Sequence, residues 1–472
     1  MTNTRRERDF LGERKLPADA YWGVQTLRAS ENFPISGLRA HPVFIVAMAM
    51  VKHAAAQVNA AAGRLPPTAA QAIVAAAKDV IDGHLHDQFI VDVFQAGAGT
   101  SFHMNMNEVL ANRALELLEK PRGDYNTIHP NDHVNLGQST NDVYPTAMRL
   151  AALMLLEKLY PVVERAAAAF ERKGQEFAAI VKSGRTHLQD AAPLTLGAEF
   201  HAYALTIERC LGALRTNADA LHELGIGGTA VGSGLTAHRG YREDVVRCLA
   251  EMTGLPLRPA PDTFEAMQSM ACFVQVSASL RTLALELIRI ANDLRLLASG
   301  PNTGLAEITL PPVQPGSSIM PGKVNPVMAE MLDMVCFQVA GNDTAISLAA
   351  QAGQLELNVM MPAINYALLM SLEILTNGLR VFTEKCVEGI TADPERCQRY
   401  AHGSLGLATL LKPIIGYQNA SELARQALRT GRSIVDLAVE KGLLTREVLE
   451  KLLAPDRMTP DGQPPAPGQS GK

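Results

Sequence analysis

Over residues 268–299 apolar side chains recur every two to four positions, at Val274, Val276, Leu280, Leu283, Leu287, Ile290, Leu294 and Leu297, and no proline interrupts them. That spacing predicts one helix about 45 Å long, longer than a small domain is wide. Such a rod is stable only when it lies against other rods. Four more segments carry the same periodicity: residues 143–181, with Pro161 expected to kink the middle, then 188–224, 327–351 and 363–385. The fold class is therefore all-α, built on a bundle of five long helices. The faces of these helices are rich in Ala, Leu, Met and Val beyond one narrow stripe, so an isolated bundle would leave apolar surface in water. Homo-oligomerisation through the bundle is the expected remedy.

At 472 residues the length prior is roughly three domains. The punctuation of the chain places them at 1–138, mixing shorter helices with turns; at 139–393, the long-helix bundle; and at 394–472, a smaller and more polar helical unit with a disordered Pro/Gly tail over 459–472. The composition, 47% hydrophobic and 19% charged with a net charge of −5, is that of a soluble globular protein. It has no basic surplus to suggest nucleic acid. The N-terminus lacks the apolar core of a signal peptide, and the longest unbroken apolar runs, 43–51 and 151–156, fall short of the ~20 residues that span a bilayer. A cytoplasmic protein with no membrane partner is expected. Six cysteines without CxxC spacing read as reduced, packed thiols. His84 and His86, beside Asp87, read as a solvated turn in preference to a metal site.

Chemistry is concentrated in four polar clusters. Residues 316–326, Gly-Ser-Ser-Ile-Met-Pro-Gly-Lys-Val-Asn-Pro, cannot be helix, because Pro315, Pro321 and Pro326 interrupt it. This loop, counted from 315 to 326, carries the hydroxyls of Ser317 and Ser318, the cation of Lys323 and the amide of Asn325, together an anion cradle. Residues 97–101, Gly-Ala-Gly-Thr-Ser, let a ligand approach the backbone closely and supply Thr100 just before a helix expected from Asn107. There a helix N-cap explains Ser101 or Asn105 equally well. Residues 138–142, Gln-Ser-Thr-Asn-Asp, stand before the second long rod, whose N-terminal dipole favours an anion; capping alone needs only one of Ser139, Thr140 and Asn141. Residues 184–190 hold Thr186 and His187 at the expected head of a further helix.

Together these clusters resemble the fumarase/aspartase superfamily, from the Tyr-Trp-Gly-Val-Gln-Thr of 21–26 to the Glu-Lys-Gly-Leu-Leu of 440–444, with the 316–326 loop as its signature. Thr140, Gln314 and the Gln-Leu pair 354–355 are similar to the aspartate ammonia-lyase branch, since fumarases usually carry Ser, Glu and Asn-Phe there. The stretches 129–135 and 227–232 suit a class II fumarase equally well. Two departures stand out: Phe102-His103, where a small polar residue and Asn are usual, and Asn302-Thr303, where an Arg-containing pair is usual.

The resemblance implies a three-domain protomer whose five-helix bundle joins three others in a twenty-helix homotetramer core, with active sites shared between subunits. It implies elimination of ammonia from L-aspartate to give fumarate, with class II fumarate hydratase as the alternative and a non-catalytic structural oligomer as a remote one. By the same resemblance Ser317 is the general base. Ser139, Thr140 and Ser318 hold the reacting carboxylate, while Thr186, Lys323 and Asn325 hold the other. Thr100, Asn141 and His187 face the amino group, with His187 also able to assist the departing amine. No organic cofactor is expected; a divalent ion could activate, but no ligand spacing locates one.

Overall fold

The structure, a computed structural model, describes residues 3–458; the tail expected at 459–472 lies outside them. The chain opens with an antiparallel hairpin, β1 (Thr4–Asp9) and β2 (Gly12–Pro17), which sequence reading did not anticipate. Helices α1 (Val24–Asn32), α2 (Pro42–Ala61), α3 (Pro67–Ile81) and α4 (Thr100–Leu117) follow. The first long rod is α5 (Thr140–Glu176), which continues as helix through Pro161. A second hairpin, β3 (Val181–Thr186) and β4 (Gln189–Thr195), leads into α6 (Leu196–Ala218). Then come α7 (Tyr241–Thr253), α8 (Thr263–Gln268) and the long rods α9 (Ala271–Leu297), α10 (Val327–Gln351) and α11 (Met361–Lys385). Five short helices close the described chain: α12 (Pro394–Gly403), α13 (Leu407–Ile415), α14 (Tyr417–Thr430), α15 (Ile434–Glu440) and α16 (Arg446–Leu452).

The five expected rods are therefore present, and the protein is helical with short strands. One boundary moves substantially: the helix expected from residue 188 begins at Leu196, because 189–195 pairs with 181–186 as a β-hairpin. His187 consequently sits at a hairpin tip and does not head a helix.

Two compact units can be distinguished. Over the described residues, the first contains 3–160, 212–284 and 337–376; the second contains 161–211, 285–336 and 377–458. In the first unit α2 is packed on α3 and α7, and Phe44, Met48, Val51 and Ala55 are fully shielded. By length and composition alone, both α2 and α9 are long and apolar enough to cross a membrane. Lys52 ends the apolar run 43–51 in sequence but not the helix. Two thirds of the apolar window of α2 is buried within the protein, as in a core helix. In the second unit a local core of Leu407, Leu411, Leu423, Ile434, Leu437 and Leu449 holds the short C-terminal helices together. All six cysteines are free thiols and five are buried. His86 binds the Val80 carbonyl at 2.9 Å, and among the described residues no cluster of three or more His, Cys, Asp or Glu is placed to hold a metal.

Candidate active site

The expected site residues fall into two groups. Thr100, Ser139, Thr140 and Asn141 belong to the first unit, and Thr186, His187, Ser317, Ser318, Lys323 and Asn325 to the second.

In the first group the start of α5 is a capping box. The Ser139 hydroxyl accepts from the Asn141 N–H at 3.3 Å, and Asp142 reaches back to accept from the Ser139 N–H at 2.9 Å. The second carboxylate oxygen of Asp142 accepts from the N–H groups of Gly227 and Thr229, both at 3.0 Å, tying that loop to the helix start. Burial pushes the Asp142 carboxyl up to about 6, while these three N–H groups and the charge of Lys52 oppose the rise. Asn141 donates to the Ala230 carbonyl at 2.7 Å. Thr140 is joined to His103, whose Nδ1 lies 2.7 Å from its hydroxyl oxygen. His103 Nε2 in turn lies 2.6 Å from Lys52 Nζ.

Thr100 is the first residue of α4 and is exposed, preceded by Ala98 and Gly99 at positive φ. A methyl group at Gly99 would come within 2.1 Å of the Tyr144 ring, so the turn requires glycine both for its backbone and for its space. Neither Ser101 nor Asn105 caps this helix, because both lie inside it. Asn105 instead accepts from the Ile90 N–H and donates to the Gln88 carbonyl, holding the preceding segment.

In the second group Thr186 and His187 occupy the tip of the β3–β4 hairpin, exposed, with His187 and Leu188 both at positive φ. Two such residues between paired Thr186 and Gln189 make a tight two-residue turn of the primed kind, usually given to Asn-Gly. Its base is anchored by charge. Glu307, fully buried, receives both guanidinium arms of Arg185 at 2.9 Å and lies 3.2 Å from Lys182, which also bonds Glu199 at 2.8 Å. Ser183 donates to the Ser404 hydroxyl, and Asp190 accepts from the Leu405 N–H.

The 315–326 segment is a loop, as expected, closed by its own backbone. The Gly316 N–H donates to the Lys323 carbonyl at 2.8 Å, and the Asn325 amide donates to the Gly316 carbonyl at 2.7 Å. Asn325 thus braces the loop neck in this conformation. Inside it, the Ser317 hydroxyl oxygen accepts from two backbone N–H groups, those of Ile319 at 3.2 Å and Met320 at 3.0 Å. Lys323 is exposed, as are the apolar side chains of Ile319, Met320 and Val324. Among the described residues no hydrogen bond joins this loop to Thr186 or His187.

Sequence reading missed Lys52, Glu108 and Glu307. A lone lysine within an otherwise apolar helical face was the available signal for Lys52. Glu108 is buried within α4. It accepts from the backbone N–H groups of Gly23, Gln25 and Thr26 and from the Thr26 hydroxyl, fixing the start of α1. Burial lifts its carboxyl to about 7 against those donors.

Comparison with known proteins identifies the family of the chain. Residues 12–341 match a lyase family, and residues 407–460 match the fumarase C C-terminus, the segment of the local C-terminal core. An aspartate ammonia-lyase of Bacillus subtilis is 51% identical over 97% of this chain and 96% of its own length. One of Escherichia coli is 48% identical over 96% and 95%. Among solved structures, a fumarate lyase:delta crystallin from Brucella melitensis bound to cobalt superposes with a TM-score of 0.94 at 50% identity, covering 98% of this chain and all of that one. A class II fumarase from Schistosoma mansoni superposes with a TM-score of 0.93 at 38% identity, covering 97% and 99%. With a match over most of its length and relatives at half identity from end to end, the chain belongs to the lyase family that includes the aspartate ammonia-lyases and class II fumarases.

Proposed function

We propose that this protein is an aspartate ammonia-lyase, eliminating ammonia from L-aspartate to give fumarate, and that Ser317 removes the proton. The Ser317 hydroxyl, held by two backbone N–H donors within its own loop, carries the chemical part of this reading. Donors aimed at an oxygen favour its anionic form and lower its proton affinity. An ordinary serine is far too basic for the task, and loop closure that excludes water would strengthen both bonds.

The proton lost is the one on the carbon beside the side-chain carboxylate. The electron pair of the broken carbon–hydrogen bond moves onto that carboxylate, forming an aci-carboxylate dianion; it returns to form the double bond as the carbon–nitrogen bond breaks and ammonia leaves. Ser139, Thr140 and Ser318 meet the growing charge on the reacting carboxylate, preorganised donors being worth most where charge develops. Thr186, Lys323 and Asn325 hold the other carboxylate, and Thr100, Asn141 and His187 receive the amino group. For Asn325 this requires the amide to leave the Gly316 carbonyl or to share it.

The active protein in this proposal is a cytoplasmic homotetramer with a twenty-helix core and sites shared between subunits, each protomer arranged as 1–138, 139–393 and 394–472. Exposed apolar side chains on the long rods support self-association: Leu285 on α9 and Met334, Phe337 and Leu348 on α10 are each more than half exposed. A monomer would be inactive. The deciding experiment follows fumarate's ultraviolet absorbance with purified protein given L-aspartate or L-malate, alongside light scattering for the oligomeric mass. Fumarate from aspartate with equimolar ammonia is the expected result. Fumarate from malate alone would make the protein a hydratase, and turnover by a monomer would end the shared-site reading.

A further inference from the structure

Behind Thr140 lies a buried polar network that neither the capping of α5 nor the proposed chemistry requires. Lys52, from the middle of α2, is fully buried, and its ammonium faces three acceptors: His103 Nε2 at 2.6 Å, Gln138 Oε1 at 2.9 Å and Asn135 Oδ1 at 3.0 Å. An ammonium has three protons and no lone pair, so three acceptors saturate it. The two amides are not free to turn. Asn135 Nδ2 donates to the Gln138 carbonyl, and Gln138 Nε2 donates to the carbonyls of Val134 and Leu136, which commits both oxygens to Lys52. Burial pulls the Lys52 ammonium well below its ordinary pKa, and the buried carboxylate of Asp142 supplies the opposing charge that favours the protonated form. The third proton of Lys52 then requires a lone pair on His103 Nε2, which leaves the ring's one proton on Nδ1, directed at the Thr140 hydroxyl oxygen 2.7 Å away.

We propose that Lys52 and His103 form a directional hydrogen-bond relay that compels Thr140 to accept from inside the protein and therefore to donate its own proton outward, to the reacting carboxylate. His103 is a positioning residue in this scheme: it never touches substrate, but it decides which way a substrate-binding hydroxyl points its proton. The relay rests on the reading of Thr140 as a carboxylate ligand. Without it a threonine hydroxyl is free to rotate and present a lone pair to an anion, which repels. Burial and the adjacent Lys52 charge both hold the imidazole below its ordinary pKa, in keeping with a neutral ring.

The tautomer is directly measurable. In full-length protein labelled with 15N-histidine, with His103→Asn assigning the resonance, solid-state NMR should show a neutral ring protonated at Nδ1. A ring protonated at Nε2, donating to Asn135 or to the lone pair of a neutral Lys52 amine, or an imidazolium would overturn the relay. Kinetics supply the second readout. His103→Leu should lower kcat/KM for aspartate about tenfold or more, the loss expected for one hydrogen bond to a charged acceptor. Most of that loss should fall on kcat, because the carboxylate gains charge in the transition state. His103→Asn, whose amide can accept from Lys52 and donate to Thr140, should recover most of it. In a Thr140→Val background His103→Leu should cost nothing further, whereas additive losses would mean a merely structural role. If Thr140→Val alone leaves turnover intact, the carboxylate reading of Thr140 falls, and with it the relay's purpose. If Thr140→Val is crippled but the ring carries its proton on Nε2, the site reading stands and the relay alone is wrong.

Discussion

The start of α5 and the 315–326 loop both present hydroxyls, yet they are built in opposite ways. At Ser139–Asp142 the polar groups are backed by buried partners from several elements: Asp142 binds the Gly227 and Thr229 backbone, Asn141 holds Ala230, and Thr140 rests on His103 and Lys52. In the loop, Ser317 and Asn325 are held by backbone groups of the loop itself, and apolar side chains stand in the open around them. The first arrangement cannot move without breaking a network whose buried groups have nowhere else to bond. The second can move as a unit at little cost, since the bonds it carries travel with it. The start of α5 has the construction of a fixed receptor, and the loop that of a mobile element.

Substitutions should respond to that contrast. The largest effect is expected at the loop, on activity alone. Ser317→Ala should lower kcat with L-aspartate by about a thousandfold, within the range for loss of a general base, with the melting temperature unchanged. Appreciable residual turnover would refute the base assignment.

Next comes a paired glycine test. Gly99→Ala forces a methyl group against Tyr144 in a left-handed turn of the fixed receptor, and should cost about 3 kcal/mol or more in urea unfolding. Gly322→Ala, also at positive φ but with open space around its Cβ position, should cost only about 1–2 kcal/mol, the backbone penalty alone. Equal losses would show that the loop is packed as tightly as the receptor.

The last test is a pH dependence. Burial raises the Glu108 carboxyl to about 7, so the folded state binds this proton more tightly than the unfolded chain does. The group therefore contributes most stability below about pH 4.5, the ordinary glutamate range, and loses that contribution as pH rises through about 7. Glu108→Gln should flatten this part of the profile in melting experiments from pH 5 to 8. An unchanged slope would assign it to another buried carboxyl, with Asp142 the first to test.

Much of the helical frame was legible before any coordinates. The rods at 327–351 and 268–299 were found nearly to the residue, because proline-free apolar periodicity is a local signal and the packing of these helices follows it. The failures are equally local in origin. The helix expected over 188–224 loses its first turns because residues 189–195 pair with 181–186, and Glu307, more than a hundred residues away, anchors the hairpin's base. The candidate site was legible as residue types, and Ser139, Thr140 and Ser317 do stand in structured polar settings. Lys52 went unread, although it interrupts an apolar face, because a lysine in sequence resembles a solvated one until burial is known.

The sequence by itself determined the number of the rods, the loop that cannot be helix, and the hydroxyl-rich clusters, because each depends on neighbours within a few residues. Only the tertiary structure decided that His187 caps a hairpin, that the Ser317 oxygen receives two N–H bonds, and that Lys52, Asn135 and His103 meet behind Thr140. Those contacts join distant or folded-back segments, and the direction of a buried hydrogen bond is set by the whole set of partners that must be satisfied together.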